Sequence, residues 1–233
     1  MNQSEFQEEL KKLGIELDKS QIEQLEKYAN FLLEYNTHTN LTAIKTLEEV
    51  YLKHFYDSLT LCKVYEFSNQ SILDIGTGAG FPGLVLAIAF PSLKVTLLDS
   101  NNKKTTFLKE CIKLLDLKNV EVITSRAEDY TREHREEFDI VTSRAVAELR
   151  ILIELNIPAL KVGGYFLAMK GNAEEELSAS NNTLKKLSCT INNKEVFDLP
   201  NNAGHRTLLV IKKNSRTDTI YPRDYAKIKK HVL

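Results

Sequence analysis

The stretch from Ser71 to Asp99 constrains this chain more than any other. The apolar pair Ile72-Leu73 leads into Asp74-Ile75-Gly76-Thr77-Gly78-Ala79-Gly80-Phe81-Pro82-Gly83, followed by the apolar segment Leu84-Val85-Leu86-Ala87-Ile88-Ala89-Phe90, a second apolar run Val95–Leu98, and Asp99. Gly76, Gly78, Gly80 and Gly83 fall between two apolar segments, a pattern that predicts a strand, a tight loop and a helix. Glycine permits left-handed backbone angles and lets a ligand approach the main chain. Pro82 suits a first helical turn, where a missing N–H costs nothing. Val95–Leu98 predicts a second strand, and Asp99 ends it about 20 residues past the glycines, where a Rossmann-like βαβ unit hydrogen-bonds ribose hydroxyls.

Gly78-Ala79-Gly80-Phe81-Pro82-Gly83 matches the dinucleotide pattern G-x-G-x-x-G, which taken alone is a weak signal. Asp74 opposes that choice, because a carboxylate at the end of the first strand repels a nearby pyrophosphate. A cationic ligand welcomes it. S-adenosylmethionine carries a sulfonium and an ammonium and no phosphate, so it suits Asp74, and its ribose suits Asp99. The competing structural reading is a glycine-rich turn that only lets helix and strand pack.

The remainder of the chain fits a soluble α/β protein. Of its 233 residues 42% are hydrophobic and 27% charged, which excludes disorder and a membrane-embedded chain. Cys62, Cys111 and Cys189 are odd in number and widely spaced, giving neither a disulfide framework nor a zinc spacing. A cytoplasmic monomer is therefore expected, with the uncharged run Ile75–Leu93 read as a glycine-interrupted buried segment and not a membrane span. Net charge is -1, but residues 206–233 hold eight Lys or Arg against two acids, a basic end that can meet phosphates or simply be solvated.

Apolar residues recur at helical spacing from Phe6 to Leu13 and from Ile22 to Leu33, predicting two helices joined near Gly14, with a polar loop over Asn36–Thr42. A helix over Leu47–Leu61 places His54, Asp57 and Ser58 on one face, either an acid-base pair or a local hydrogen bond. After Asp99, a helix opens with Lys103 and Lys104 in its first turn, against the dipole preference. Further strands are predicted at 120–123, 138–142 and 165–169, a turn at Gly163-Gly164, one helix over 173–187, and a terminal pair of strands. This alternation predicts a doubly wound sheet, whose strand-end loops make Ala127 and Glu128 candidates for adenine contact.

The end of the fourth strand, Thr142-Ser143-Arg144-Ala145, narrows the chemistry. It lacks the Asn/Asp-Pro-Pro-aromatic element of enzymes that methylate exocyclic amines and the Pro-Cys pair of those that attack cytosine carbon. The acceptor should need no chemical activation, and guanine N7, with an in-plane lone pair, fits that requirement.

Asn40-Leu41-Thr42, His54-x-x-Asp57-Ser58-Leu59, the glycine loop from Leu73 to Gly83, Leu97-Leu98-Asp99-Ser100, Thr142-Ser143-Arg144-Ala145 and Lys170-Gly171 together resemble the RsmG (GidB) family, as do His205-Arg206 and Tyr221-Pro222-Arg223. The resemblance runs from about residue 28 to the carboxyl end. It implies a Rossmann-like class I S-adenosylmethionine-dependent methyltransferase: a mostly parallel, doubly wound α/β sheet over residues 67–233, capped by a helical extension over residues 1–66. The implied reaction is methylation of guanine N7 in the decoding-region loop of bacterial small-subunit (16S) ribosomal RNA. By motif, Gly76, Phe81, Ala127, Glu128 and Arg144 contact the cofactor, joining Asp74, Gly78, Gly80 and Asp99; Asn40, His54 and Asp57 are the catalytic candidates facing RNA. The alternatives are an NAD-linked oxidoreductase and a non-catalytic ribosome-binding module.

Overall fold

Two capping boxes start the chain in the computed structural model, which describes residues 1–144 and 147–233. Asn2 and Glu5 exchange side-chain and backbone hydrogen bonds to open α1 (Gln3–Lys12), and Asp18 and Gln21 do the same for α2 (Lys19–Thr39). Gly14 turns the chain between them at φ +72. The polar run expected to form a loop from Asn36 instead continues α2 to Thr39, and Asn40 ends it in the left-handed region at φ 51. Its side chains supply their own partners. The Asn36 carboxamide donates to the Thr42 carbonyl at 2.8 Å and accepts from the Thr42 amide at 3.0 Å, pinning the following turn against the helix.

Residues 47–63 form one helical stretch of changing winding. α3 (Leu47–Glu49) passes into a π-helical run (Val50–Tyr56), then α4 (Asp57–Leu59) and a 3-10 turn (Thr60–Lys63). The predicted helix is present, but its middle is wound wide, a distortion that concentrates at functional positions.

The sheet then builds from β1 (Ser71–Ile75), α5 (Gly83–Ala89), β2 (Lys94–Asp99), α6 (Asn102–Leu115), β3 (Val120–Thr124), α7 (Ala127–Glu133), β4 (Phe138–Arg144), α8 (Leu149–Asn156) and β5 (Leu160–Lys170). After α9 (Glu174–Ala179) and α10 (Asn181–Lys186), β6 (Cys189–Asp198) and β7 (His205–Lys213) close it, and α11 (Tyr225–Lys230) ends the chain. Strand order is β3-β2-β1-β4-β5-β7-β6, with β1 to β5 parallel and β7 antiparallel to both neighbours. The order reverses between β1 and β4, so the crevice above their carboxyl ends is where such a sheet binds ligands.

Two local expectations are corrected. Gly163 and Gly164 do not turn the chain but lie inside β5, where the register against β4 shifts between Phe138 and Ile140. Gly163 takes φ +86, and a Cβ on Gly164 would lie 2.8 Å from the Asp139 carbonyl, so the irregularity excludes side chains. The single helix over 173–187 is two helices, α9 and α10, parted at Ser180, whose hydroxyl donates to the Glu176 carbonyl.

Helices cover both faces of the sheet. On one face a continuous apolar cluster joins Phe6, Tyr28 and Phe55 of the amino-terminal helices to Leu84, Leu97 and Phe107 of the sheet layers. On the other, Leu73, Val141, Leu152 and Leu187 form a second cluster. Among the described residues no helix is long and apolar enough to cross a membrane.

Phe6 is fully buried, its ring 5.2 Å from that of Tyr51. Phe6→Ala is expected to cost about 3–5 kcal/mol, read as a lower urea midpoint in a single transition followed by circular dichroism.

Candidate active site

The glycine loop lies over Asp74. This carboxylate is fully buried; one oxygen accepts from the Thr77 hydroxyl at 2.7 Å and the Gly83 amide at 2.8 Å, while the other has no partner. Burial pushes its pKa up to about 6, against the lowering effect of those two bonds. Gly83 is required here, because a Cβ would lie 2.5 Å from Leu97 and 2.8 Å from the Asp74 carboxylate. Gly80 meets the same limit from above, because a Cβ there would lie 2.6 Å from the Tyr28 hydroxyl. That hydroxyl donates to the Ala79 carbonyl, so α2 fixes the loop from outside.

A cavity of about 460 Å³ opens above the loop, within the range of small-molecule sites. Gly76, Gly78, Phe81, Asp99, Ala127, Glu128 and Arg144 reach its wall. Asp99 accepts from the Gly78 amide at 3.0 Å through one oxygen and from the Asn101 amide at 2.9 Å through the other. A carboxylate has about four lone-pair sites, so Asp99 can still accept from ribose hydroxyls. Lys104, whose placement in a first helical turn is unfavourable for the dipole, stands 3.7 Å from Asp99 and also reaches the cavity.

The loop amides decide which cofactor fits. Gly76 and Thr77 donate to the Leu98 carbonyl, Gly78 to Asp99, Gly80 and Phe81 to the Thr77 carbonyl, and Gly83 to Asp74. A dinucleotide loop leaves such amides free to cradle a pyrophosphate. Here the fold uses them internally, with two carboxylates in place of an anion nest, which suits a cationic, phosphate-free cofactor.

Arg144, at the end of β4, forms the wall between this cavity and a second one of about 700 Å³. Its guanidinium donates to the Lys53 carbonyl at 3.0 Å, to Asp57 at 3.2 Å and to His54 Nδ1 at 2.9 Å. Because arginine only donates, His54 Nδ1 accepts, and its Nε2–H donates to the Thr42 hydroxyl at 2.9 Å. Burial and the Arg144 charge hold the His54 pKa down to about 3, so the ring is neutral. It stacks on Phe81 at 4.1 Å, and Arg144 lies 5.0 Å from the same ring. The second Asp57 oxygen accepts from Arg206 Nε at 2.8 Å. Asp57 is thus buried between two cations.

The expected residues therefore separate. Asp74 and Gly80 are absent from the cavity wall and hold the loop from beneath and behind. His54 reaches both cavities, Asp57 the second alone, and Asn40 neither; Asn40 is exposed beside a separate recess with Asn36, Thr37 and Lys45. Ala145 of the Thr-Ser-Arg-Ala element lies outside the described residues. Local patterns do not single out Tyr28 or Tyr225, and the resemblance includes Arg206 without a role; the fold brings Tyr28 to the loop, Arg206 to Asp57 and Tyr225 to the first cavity. The basic carboxyl end is largely committed internally: Arg206 to Asp57, Lys213 to carbonyls in the core, Arg223 to Glu154 and Lys227 to Asp224.

Known proteins agree with this geometry. The GidB family, described as rRNA small subunit methyltransferase G, matches residues 21–207. The chain is 45% identical over 222 residues to "Ribosomal RNA small subunit methyltransferase G" of Acetivibrio thermocellus, covering 94% of this chain and 92% of that protein. It is 47% identical over 224 residues to the protein of the same name from Lachnoclostridium phytofermentans, covering 94% and 93%. A solved S-adenosylmethionine-dependent methyltransferase from Aquifex aeolicus shares the fold at a TM-score of 0.54 and 17% identity, covering 74% of this chain and 97% of that one. The chain belongs to the rRNA small subunit methyltransferase G (GidB) family.

Proposed function

We propose that this chain transfers a methyl group from S-adenosylmethionine to N7 of a guanine in the decoding-region loop of 16S ribosomal RNA. One observation carries this reading: two cavities share a wall made by His54 and Arg144, the first bounded by the carboxylate-bonded glycine loop and the second open to a larger partner. When bound, the cofactor supplies an electrophilic methyl group on a cationic sulfur.

The protein's own residues bind and align. Asp99 and Glu128 hold the nucleoside part in the first cavity, with Gly76, Gly78, Phe81, Ala127 and Arg144 along the wall, while Asp74 and Gly80 keep the loop in shape. The guanine enters the second cavity beside His54, Asp57 and Arg206. N7 has a lone pair and no proton to lose, so the site needs no general base, and neutral His54, with both ring nitrogens engaged, is a positioning residue. Asn40, exposed beside its own recess, meets flanking RNA. The extension over residues 1–66 contributes Ile44, Lys53, His54 and Asp57 to the second cavity and Leu41, Thr42 and His54 to the first, and residues 67–233 supply the rest of both walls. The enzyme so proposed works as a cytoplasmic monomer.

The test is methyl transfer from labelled S-adenosylmethionine to small-subunit particles and to naked 16S RNA, with nucleoside analysis of the product. 7-Methylguanosine is expected; transfer to neither substrate, or to another atom, overturns the proposal. Asp99→Ala should weaken cofactor binding by about 1–3 kcal/mol in calorimetry, through lost charge-assisted bonds to ribose. His54 also predicts a pH dependence. Its folded pKa of about 3 lies below the ordinary value of 6.5, so its contribution to stability is present above that value and is lost as pH falls toward 3. Asp74, pushed up to about 6, works in the opposite direction, its burial cost easing as pH falls. His54→Asn should therefore flatten the acid-side fall in unfolding free energy between about pH 6 and 4 by up to about 1.4 kcal/mol per pH unit. Urea titrations across that range check it.

A further inference from the structure

The carboxyl-terminal segment is tied down more firmly than a solvated tail requires. Arg223 makes a two-pronged pair with Glu154, which is almost wholly buried, through Nε at 2.8 Å and Nη2 at 2.6 Å, and its amide donates to the same carboxylate. Arg135 donates to the Thr217 carbonyl at 2.7 Å and to the Tyr221 carbonyl at 2.5 Å, and Arg132 to the Pro222 carbonyl and Asp224. The Thr183 hydroxyl donates to the Leu233 carbonyl. These bonds seat α11 by burying Ile228 against Ile151 and Leu155 of α8. Tyr225, on the same helix, packs into this cluster beside Ala127 and reaches the wall of the first cavity.

That position coincides with the place where the base of the cofactor is expected. Ala127 follows β3, Glu128 stands next to it, and Leu155 joins them on the cavity wall. A purine is flat and apolar on its faces, and an aromatic ring beside two aliphatic side chains is the surface that stacks with it. The Arg126 guanidinium lies 5.7 Å from the Tyr225 ring and its Nε 3.8 Å from Glu128, linking the ring to the carboxylate beside the base. We propose that the Tyr225 ring forms the outer wall of the adenine subsite, so that the segment over residues 216–233 is part of the cofactor site. The inference rests on the reading of the first cavity as the S-adenosylmethionine site.

Calorimetry on the full chain tests it, with S-adenosylmethionine and adenosine as probes. Tyr225→Ala should lower affinity for both alike by roughly 5- to 30-fold, while Tyr225→Phe stays near the parent. In methyl-transfer assays Tyr225→Ala should raise KM for S-adenosylmethionine in proportion and leave kcat within about twofold, since the ring is assigned to the base and not to the reacting atoms. Tyr225→Leu, which refills the cluster without an aromatic face, keeps the test valid if the alanine variant melts early; it too should lose affinity for both probes. Parent-like binding of both probes by Tyr225→Ala and Tyr225→Leu, with Asp99→Ala weakened, overturns the assignment while sparing the cofactor reading. A fall in kcat with KM unchanged also overturns it. A parent chain that binds neither probe removes the cofactor reading itself.

Discussion

The Arg144 guanidinium is the contact on which the site depends. It joins the end of β4 to Lys53, His54 and Asp57, all about 90 residues earlier, and it does so with little of its side chain exposed. A buried cation is tolerable only with a paired charge and filled hydrogen bonds, and Asp57, a backbone carbonyl and a neutral imidazole supply them. The imidazole is neutral because it is buried and because the cation lies beside it. One electrostatic requirement therefore sets the ring's tautomer, its stacking on Phe81 and the partition between the two cavities.

Arg206 completes this arrangement from the far end of the sheet. Asp57 holds one cation with each oxygen, so β4, β7 and α4 are linked to one another through a single carboxylate. His54, in the wide-wound run Val50–Tyr56, and Asp57, just past it, both contact Arg144.

The core of the fold was legible because its signals are local. The glycines after an apolar strand, Asp99 at the end of the next, and the β-α alternation each follow from residues close in sequence. Asp74 led to the correct class of cofactor by charge, yet its position reveals a different cause: it consumes the Gly83 amide beneath the loop and does not reach the ligand space. The polar run Asn36–Thr39 misled because loop-forming composition does not show that Asn36 will satisfy Thr42. Arg206 pairs across 149 positions and Tyr225 arrives from the last helix, so neither has a local signal, and only the closed sheet brings them in.

The bond from Tyr28 to the Ala79 carbonyl gives the amino-terminal helices a role beyond covering the core. The cofactor loop is shaped on one side by Asp74 and on the other by a helix that begins more than fifty residues earlier, and both contacts act on the same few peptide units. Loop order and helix docking are then two faces of one equilibrium. Whatever steadies the loop from the cavity side must, by reciprocity, steady the docking of α2 on the sheet, so occupancy of the first cavity bears on the packing of a helix outside it.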